Sequence, residues 1–88
     1  WITLSPKKNR HPLQTIYPFV SELKVVIHNN NDFEWALEQE KNVNSSCLLY
    51  LQPEWSKIET MQSSILNFIY KNNRWKLSLQ MQKYLKIK

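Results

Sequence analysis

"ELKVVIH", residues 22–28, is an apolar run interrupted by Lys24 and followed directly by the triplet Asn29–Asn31. A strand with one face in water alternates polar and apolar residues. A nearly continuous β-branched run closed by a turn signal marks a strand covered on both faces, the habit of parallel sheets. "CLLYLQ" (47–52) repeats the pattern and is stopped by Pro53, since proline cannot donate to a strand ladder. "WITLS" (1–5) reads as a further strand running into Ser5-Pro6-Lys7, and "WKLSLQ" (75–80) as the last. In that last strand Lys76, Ser78 and Gln80 share one side, and Trp75, Leu77 and Leu79 the other.

Helices are expected between them. In "NNNDFEWALEQEKN" (29–42), Asn31 with Glu34 three residues on predicts a capped start, with Phe33, Ala36 and Leu37 on the inner face. Ser56 with Glu59 forms a capping box for a helix reaching Asn72, with Ile58, Met61, Ile65, Phe68 and Ile69 inward. "NRHPLQTIYPF" (9–19) has two prolines and no period, so it reads as a loop with one helical turn. "QKYLKIK" (82–88) reads as a short helical turn or tail. Strand starts near residues 1, 22, 47 and 75 fit βα units with right-handed crossovers, hence an α/β fold with a parallel sheet. Two open edges would invite association. Half a barrel is therefore expected, its missing strands on the same polypeptide or on a partner, with dimerisation across the edges as the alternative closure.

Eighty-eight residues form a single segment, 1–88, and four Trp, four Tyr and three Phe supply its core. The chain opens on Trp1 inside a strand, as a piece of a longer protein or a boundary would. No apolar run approaches the ~18–20 residues of a membrane span, nothing resembles a signal peptide, and a cytoplasmic protein is expected. The single cysteine, Cys47, excludes a disulfide or a multi-cysteine metal site made by this stretch alone, and is read as a small buried hydrophobe. With no glycine, the phosphate-cradling loops of nucleotide-binding folds are excluded. Residues 1–59 carry six Lys/Arg against seven Asp/Glu, whereas residues 60–88 carry six and no acid. That asymmetry fits an anionic partner near the C-terminal end, or a solvated basic surface.

Active sites of parallel α/β proteins lie at the C-terminal ends of the strands. Here those ends carry Ser5, Pro6 and Lys7; Lys24 and His28; Gln52, Pro53 and Glu54; and Ser78, Gln80 and Gln82. Lys24, inside an apolar strand, needs a carboxylate or a ligand, and Glu22 on the same face is a candidate partner. His28 reads as a solvent residue, His11 has no assigned role, and the tryptophans read as core and interface packing.

Taken in order, "WITLSPK", "ELKVVIH", "LYLQPEWS" and "RWKLSLQMQKYLKIK" resemble the C-terminal part of 7-carboxy-7-deazaguanine synthase. That family consists of radical S-adenosylmethionine (SAM) enzymes of the queuosine (7-deazapurine) pathway. The resemblance implies the later strands of an incomplete TIM-like barrel. It also implies a [4Fe-4S] cluster bound by three cysteines upstream, and SAM cleavage to a 5′-deoxyadenosyl radical. Ring contraction of 6-carboxy-5,6,7,8-tetrahydropterin with loss of ammonia, assisted by Mg²⁺, follows from the same likeness. It places SAM against Ser5, Pro6 and Lys7 and against Gln52, Pro53, Glu54 and Trp55, and substrate at Lys88. It implies a homodimer, and inactivity of this stretch alone. The tail departs from the family pattern at Met81, Gln82, Lys86 and Lys88. The competing expectation is a non-catalytic module using the basic third on RNA or another polyanion, with Trp75 and Tyr84 interleaved.

Overall fold

The computed structural model describes residues 1–8 and 14–84. Four parallel strands, β1 (Thr3–Leu4), β2 (Glu22–Ile27), β3 (Leu48–Pro53) and β4 (Trp75–Leu77), lie side by side in chain order. Helix α1 (Asn31–Glu40) connects β2 to β3, α2 (Ile58–Lys71) connects β3 to β4, and α3 (Leu79–Tyr84) follows β4. A 3-10 turn at Gln14–Phe19 precedes β2. The central pair is in full register, from Glu22 opposite Leu48 to Ile27 opposite Pro53.

Sequential order with crossovers of one hand places successive helices on one face of the sheet. The core shows that placement. Leu23, Val25, Leu49, Leu51, Trp75 and Leu77 project from the strands into a layer with Ala36 of α1 and Ile58, Met61, Ile65 and Phe68 of α2. Each fully buried Leu, Ile or Val contributes roughly 1.5–3 kcal/mol of transfer free energy, so this layer is the main stabilising element. Cys47 lies within it, as expected of a small hydrophobe.

The opposite face is not sealed. Along β2 the residues alternate between half-buried and buried, so Glu22, Lys24 and Val26 remain partly in contact with water. This corrects the expectation of coverage on both faces. The β-branched residues are there, but these elements cover only one side.

Several local expectations are also corrected. The Asn31–Glu34 capping arrangement does not form: Asn30 takes the cap position without a side-chain bond, and Asp32 instead accepts the backbone N–H groups of His28 and Asn29. Leu37 is exposed and Asp32, Ala36 and Gln39 form the buried face, because Tyr17 donates to Gln39 Oε1 at 2.6 Å and fixes the helix rotation. The Ser56–Glu59 box gives way to a 3-10 turn at Trp55–Lys57, where Glu54 accepts from Ser56 N–H at 3.0 Å.

The last strand stops at Leu77, short of Gln80. Ser78 N–H still donates to Leu51 O at 2.9 Å, but its Oγ accepts from Met81 N–H at 3.3 Å and its carbonyl from Gln82 N–H at 2.9 Å. Both acceptors belong to helix geometry, so Leu79 turns out to solvent. Of the tryptophans only Trp75 is core, with Trp35 half-buried and Trp1 and Trp55 exposed. Glu22 does not pair with Lys24 and faces Trp1 Nε1 at 3.3 Å and Thr3 Oγ1 at 3.4 Å. Among the described residues no helix is long and apolar enough to cross a membrane. His11 and Lys88 lie outside the described residues.

Candidate functional site

Where β1, β2 and β3 end, the chain turns away from the sheet three times and leaves a cleft of about 510 Å³. The turn after β1 contributes Pro6, Lys7 and Lys8; the end of β2 contributes Val26 and His28; the first turns of α1 contribute Asp32 and Trp35. Glu54 closes the third side, and its backbone N–H donates to Ile27 O at 2.9 Å, locking the end of β3 against that of β2.

Asp32 is the electrostatic hub. It is 3 % exposed, yet its carboxylate accepts from His28 N–H at 2.6 Å and Asn29 N–H at 3.3 Å and forms an ion pair with Lys8. His28 Nδ1 stands 3.4 Å from the same carboxylate. Burial alone would raise the Asp32 pKa, but the Lys8 ammonium and the two N–H donors outweigh it and hold the group below its ordinary range. The Lys8 ammonium also lies 5.7 Å from the centre of the Trp35 ring, within cation–π range. Glu54 is held below its ordinary range by its hydrogen bonds from Ser56, helped by the positive charge of Lys57 and the nearby His28.

The residues expected to bind SAM do not all meet here. Pro6, Lys7 and Glu54 line the cleft; Ser5 is half-buried next to it. Gln52 faces a neighbouring hollow of about 160 Å³ on the same open face, shared with Lys24, Tyr50, Ser78 and Gln80. Pro53 points to the opposite side, fully buried near Ile65 and Met81. Trp55 is half exposed and meets Tyr84 edge to face at 5.8 Å. Period 2 explains the split: Gln52 and Pro53 are neighbours in a strand and must point apart. Lys8, Asp32 and Trp35 were not singled out from sequence, although a lysine following Ser-Pro-Lys and an acid at the first turn of a helix after a strand were the available signals.

The donor set does not fit an iron–sulfur cluster. Among the described residues no three His, Cys, Asp or Glu side chains converge on a metal position. The one thiol, Cys47, sits at the other end of β3, where burial outweighs the nearby Arg74 and raises its pKa. The cleft, in contrast, offers an ammonium with no ion pair among the described residues (Lys7), a carboxylate (Glu54) and apolar walls (Pro6, Val26, Trp35). Those groups set one positive and one negative charge beside an apolar wall.

A four-stranded parallel sheet in chain order, with a cleft at its strand C-termini, makes this an α/β protein of the βα type. Comparison of the sequence with characterised proteins is more specific. The chain is 47 % identical over 87 residues to the 7-carboxy-7-deazaguanine synthase of Flavobacterium psychrophilum, covering 99 % of this chain and 41 % of that protein. It is 43 % identical over 88 residues to the enzyme of that name from Synechocystis, covering 100 % of this chain and 42 % of the relative. For the Buchnera aphidicola protein of that name the figures are 37 % over 91 residues, 100 % and 40 %. No family profile and no solved structure matches. The chain belongs to the 7-carboxy-7-deazaguanine synthase family, spans about two fifths of the length of these relatives, and corresponds to their C-terminal part.

Proposed function

We propose that this chain is the later, SAM-facing portion of a radical SAM lyase that converts 6-carboxy-5,6,7,8-tetrahydropterin to 7-carboxy-7-deazaguanine. The observation that carries the reading is the cleft at the strand ends, in a chain whose relatives bear that enzyme's name. The open sheet face supports the barrel reading, because a parallel sheet ordinarily has both faces covered, and further βα units closing the barrel would convert this face into its interior.

When bound, SAM supplies one-electron, hydrogen-abstracting chemistry. The work of this chain's residues is to bind and orient. The Lys7 ammonium is placed to meet the ligand's carboxylate, and the Glu54 carboxylate to accept from its ammonium or ribose hydroxyls. Pro6, Val26 and Trp35 exclude water around the flat base. The hollow holding Lys24, Tyr50 and Gln52 lies on the same face and is the natural place for the pterin substrate. The cluster and Mg²⁺ belong to residues outside this chain.

The polyanion reading has less support. Arg74 is committed to Glu40 at 3.3 Å, and Trp75 is fully buried, so neither is presented to a nucleic acid.

The test uses the complete reading frame, reconstituted anaerobically with iron and sulfide and assayed by chromatography for 5′-deoxyadenosine and 7-carboxy-7-deazaguanine. Formation of both is expected. A correctly reconstituted protein that forms neither refutes the proposal.

A further inference from the structure

The two adjacent lysines at the cleft have different surroundings. Lys7 is exposed and lines the cleft with no ion pair among the described residues, whereas Lys8 is fixed between the Asp32 carboxylate and the Trp35 ring. Asp32 itself is buried, and each of its oxygens is engaged: Oδ1 by Lys8, Oδ2 by the N–H groups of His28 and Asn29. One carboxylate thus ties the turn after β1 to the end of β2 and the start of α1.

We propose that Asp32 and Lys8 form a positioning strut that holds the Ser5–Lys8 turn over the cleft, so that Lys7 is the ammonium presented to the ligand. The inference rests on the SAM reading for the ligand's identity, but the strut is a property of the fold.

The physical case is one of constraint. The turn follows a strand of only two residues, and its one further backbone pairing is an isolated bridge at Lys7, so the ladder of β1 with β2 fixes it only in part. A bridge holds the backbone and leaves the lysine side chain free to sample many rotamers, and ordering it on binding would weaken affinity. A buried carboxylate with preset N–H donors fixes the ammonium of Lys8 before the ligand arrives. Through the adjoining peptide, this limits where Lys7 can point. Asp32 and Lys8 are therefore positioning residues, whereas Lys7 touches the ligand.

The experiment measures S-adenosylhomocysteine binding to the full-length protein by calorimetry, together with Lys-C cleavage after Lys7 and Lys8 without ligand. The variants are Lys7→Met, Lys8→Met, Lys8→Arg, Asp32→Asn and the double Lys8→Met/Asp32→Asn. Lys8→Met and Asp32→Asn are each expected to weaken binding about tenfold, the double no further, and Lys8→Arg to restore most of the affinity. Lys-C cleavage after Lys7 in Lys8→Met and Lys8→Arg, and after both lysines in Asp32→Asn, should be fast in Asp32→Asn and Lys8→Met and slow in Lys8→Arg. Lys7→Met should weaken binding and leave cleavage after Lys8 slow. Additive losses, or Lys8→Met binding and cleaving like wild type, would overturn the strut. A wild type that binds no S-adenosylhomocysteine overturns the SAM reading instead, and the cleavage rates alone then decide whether the strut exists.

Discussion

The indole N–H of Trp75 donates to Glu40 Oε1 at 2.8 Å, joining the first residue of β4 to the last residue of α1 across 35 positions of sequence. Arg74 engages the other oxygen at 3.3 Å and also donates to the carbonyls of Asn44 at 2.6 Å and Cys47 at 3.2 Å. One carboxylate and one guanidinium thus fasten the end of the sheet remote from the cleft.

Glu40→Ala should therefore cost about 2 kcal/mol, since it leaves a buried indole N–H unsatisfied and a guanidinium without its counter-charge. Glu40→Gln, which keeps an acceptor for Trp75, should cost about half as much. Urea unfolding followed by far-ultraviolet circular dichroism measures both. Equal losses would mean that the charge on Arg74, and not the indole bond, carries the contact.

Asp32 makes an acid-dependent contribution to stability. Its folded pKa lies below the ordinary value of 3.8, so the folded state holds the proton more weakly than the unfolded chain does. The stabilisation is complete above the unfolded pKa and is lost as pH falls through the depressed folded value. Urea midpoints taken from about pH 7 to about pH 2 should fall more steeply for wild type than for Asp32→Asn. The Lys8 ammonium and the His28 ring face it, and the effect should weaken in Lys8→Met.

Ser78 converts a strand into a helix within one residue. Ser78→Ala removes the Oγ that accepts from Met81 N–H and should cost about 1 kcal/mol, read as faster hydrogen exchange in residues 79–84 than in β4. Uniform acceleration across both segments would show that the cap supports the whole fold.

Trp55 and Tyr84 link the turn after β3 to the last described helix by an edge-to-face contact. Both are about half exposed, so a double-mutant cycle with Trp55→Ala and Tyr84→Ala should give a coupling near the low end of aromatic pairs, about 0.5 kcal/mol. A coupling of zero would mean that the helix is placed by Met81, which is buried, rather than by the ring pair.

The strands and both long helices were legible because their patterns are local. Leu23, Val25 and Ile27 alternate into the core, and Ile58, Met61, Ile65 and Phe68 recur at helical spacing. What escaped was the choice between competing local options. Asn31 and Ser56 are both competent caps, yet Asp32 takes the N–H groups at the end of β2, and Glu54 takes the N–H of Ser56 itself because the chain enters a 3-10 turn there. Pro6, Lys7 and Glu54, which the family likeness assigned to one ligand, line one cleft. The likeness did not separate Gln52 from Pro53, although strand period already points them apart; which of the two reaches the open face depends on the face of β3 that the helices cover.

The amino-acid order by itself determined the parallel βα arrangement, the apolar layer and the polar strand ends, because period and composition act over a few residues at a time. Only the tertiary structure decided that one sheet face stays open and that a buried carboxylate in α1 reaches Lys8 in a turn 24 positions earlier. Helix rotation and strand pairing bring those groups together, and both are set by packing across the whole sheet, which no single stretch of sequence encodes.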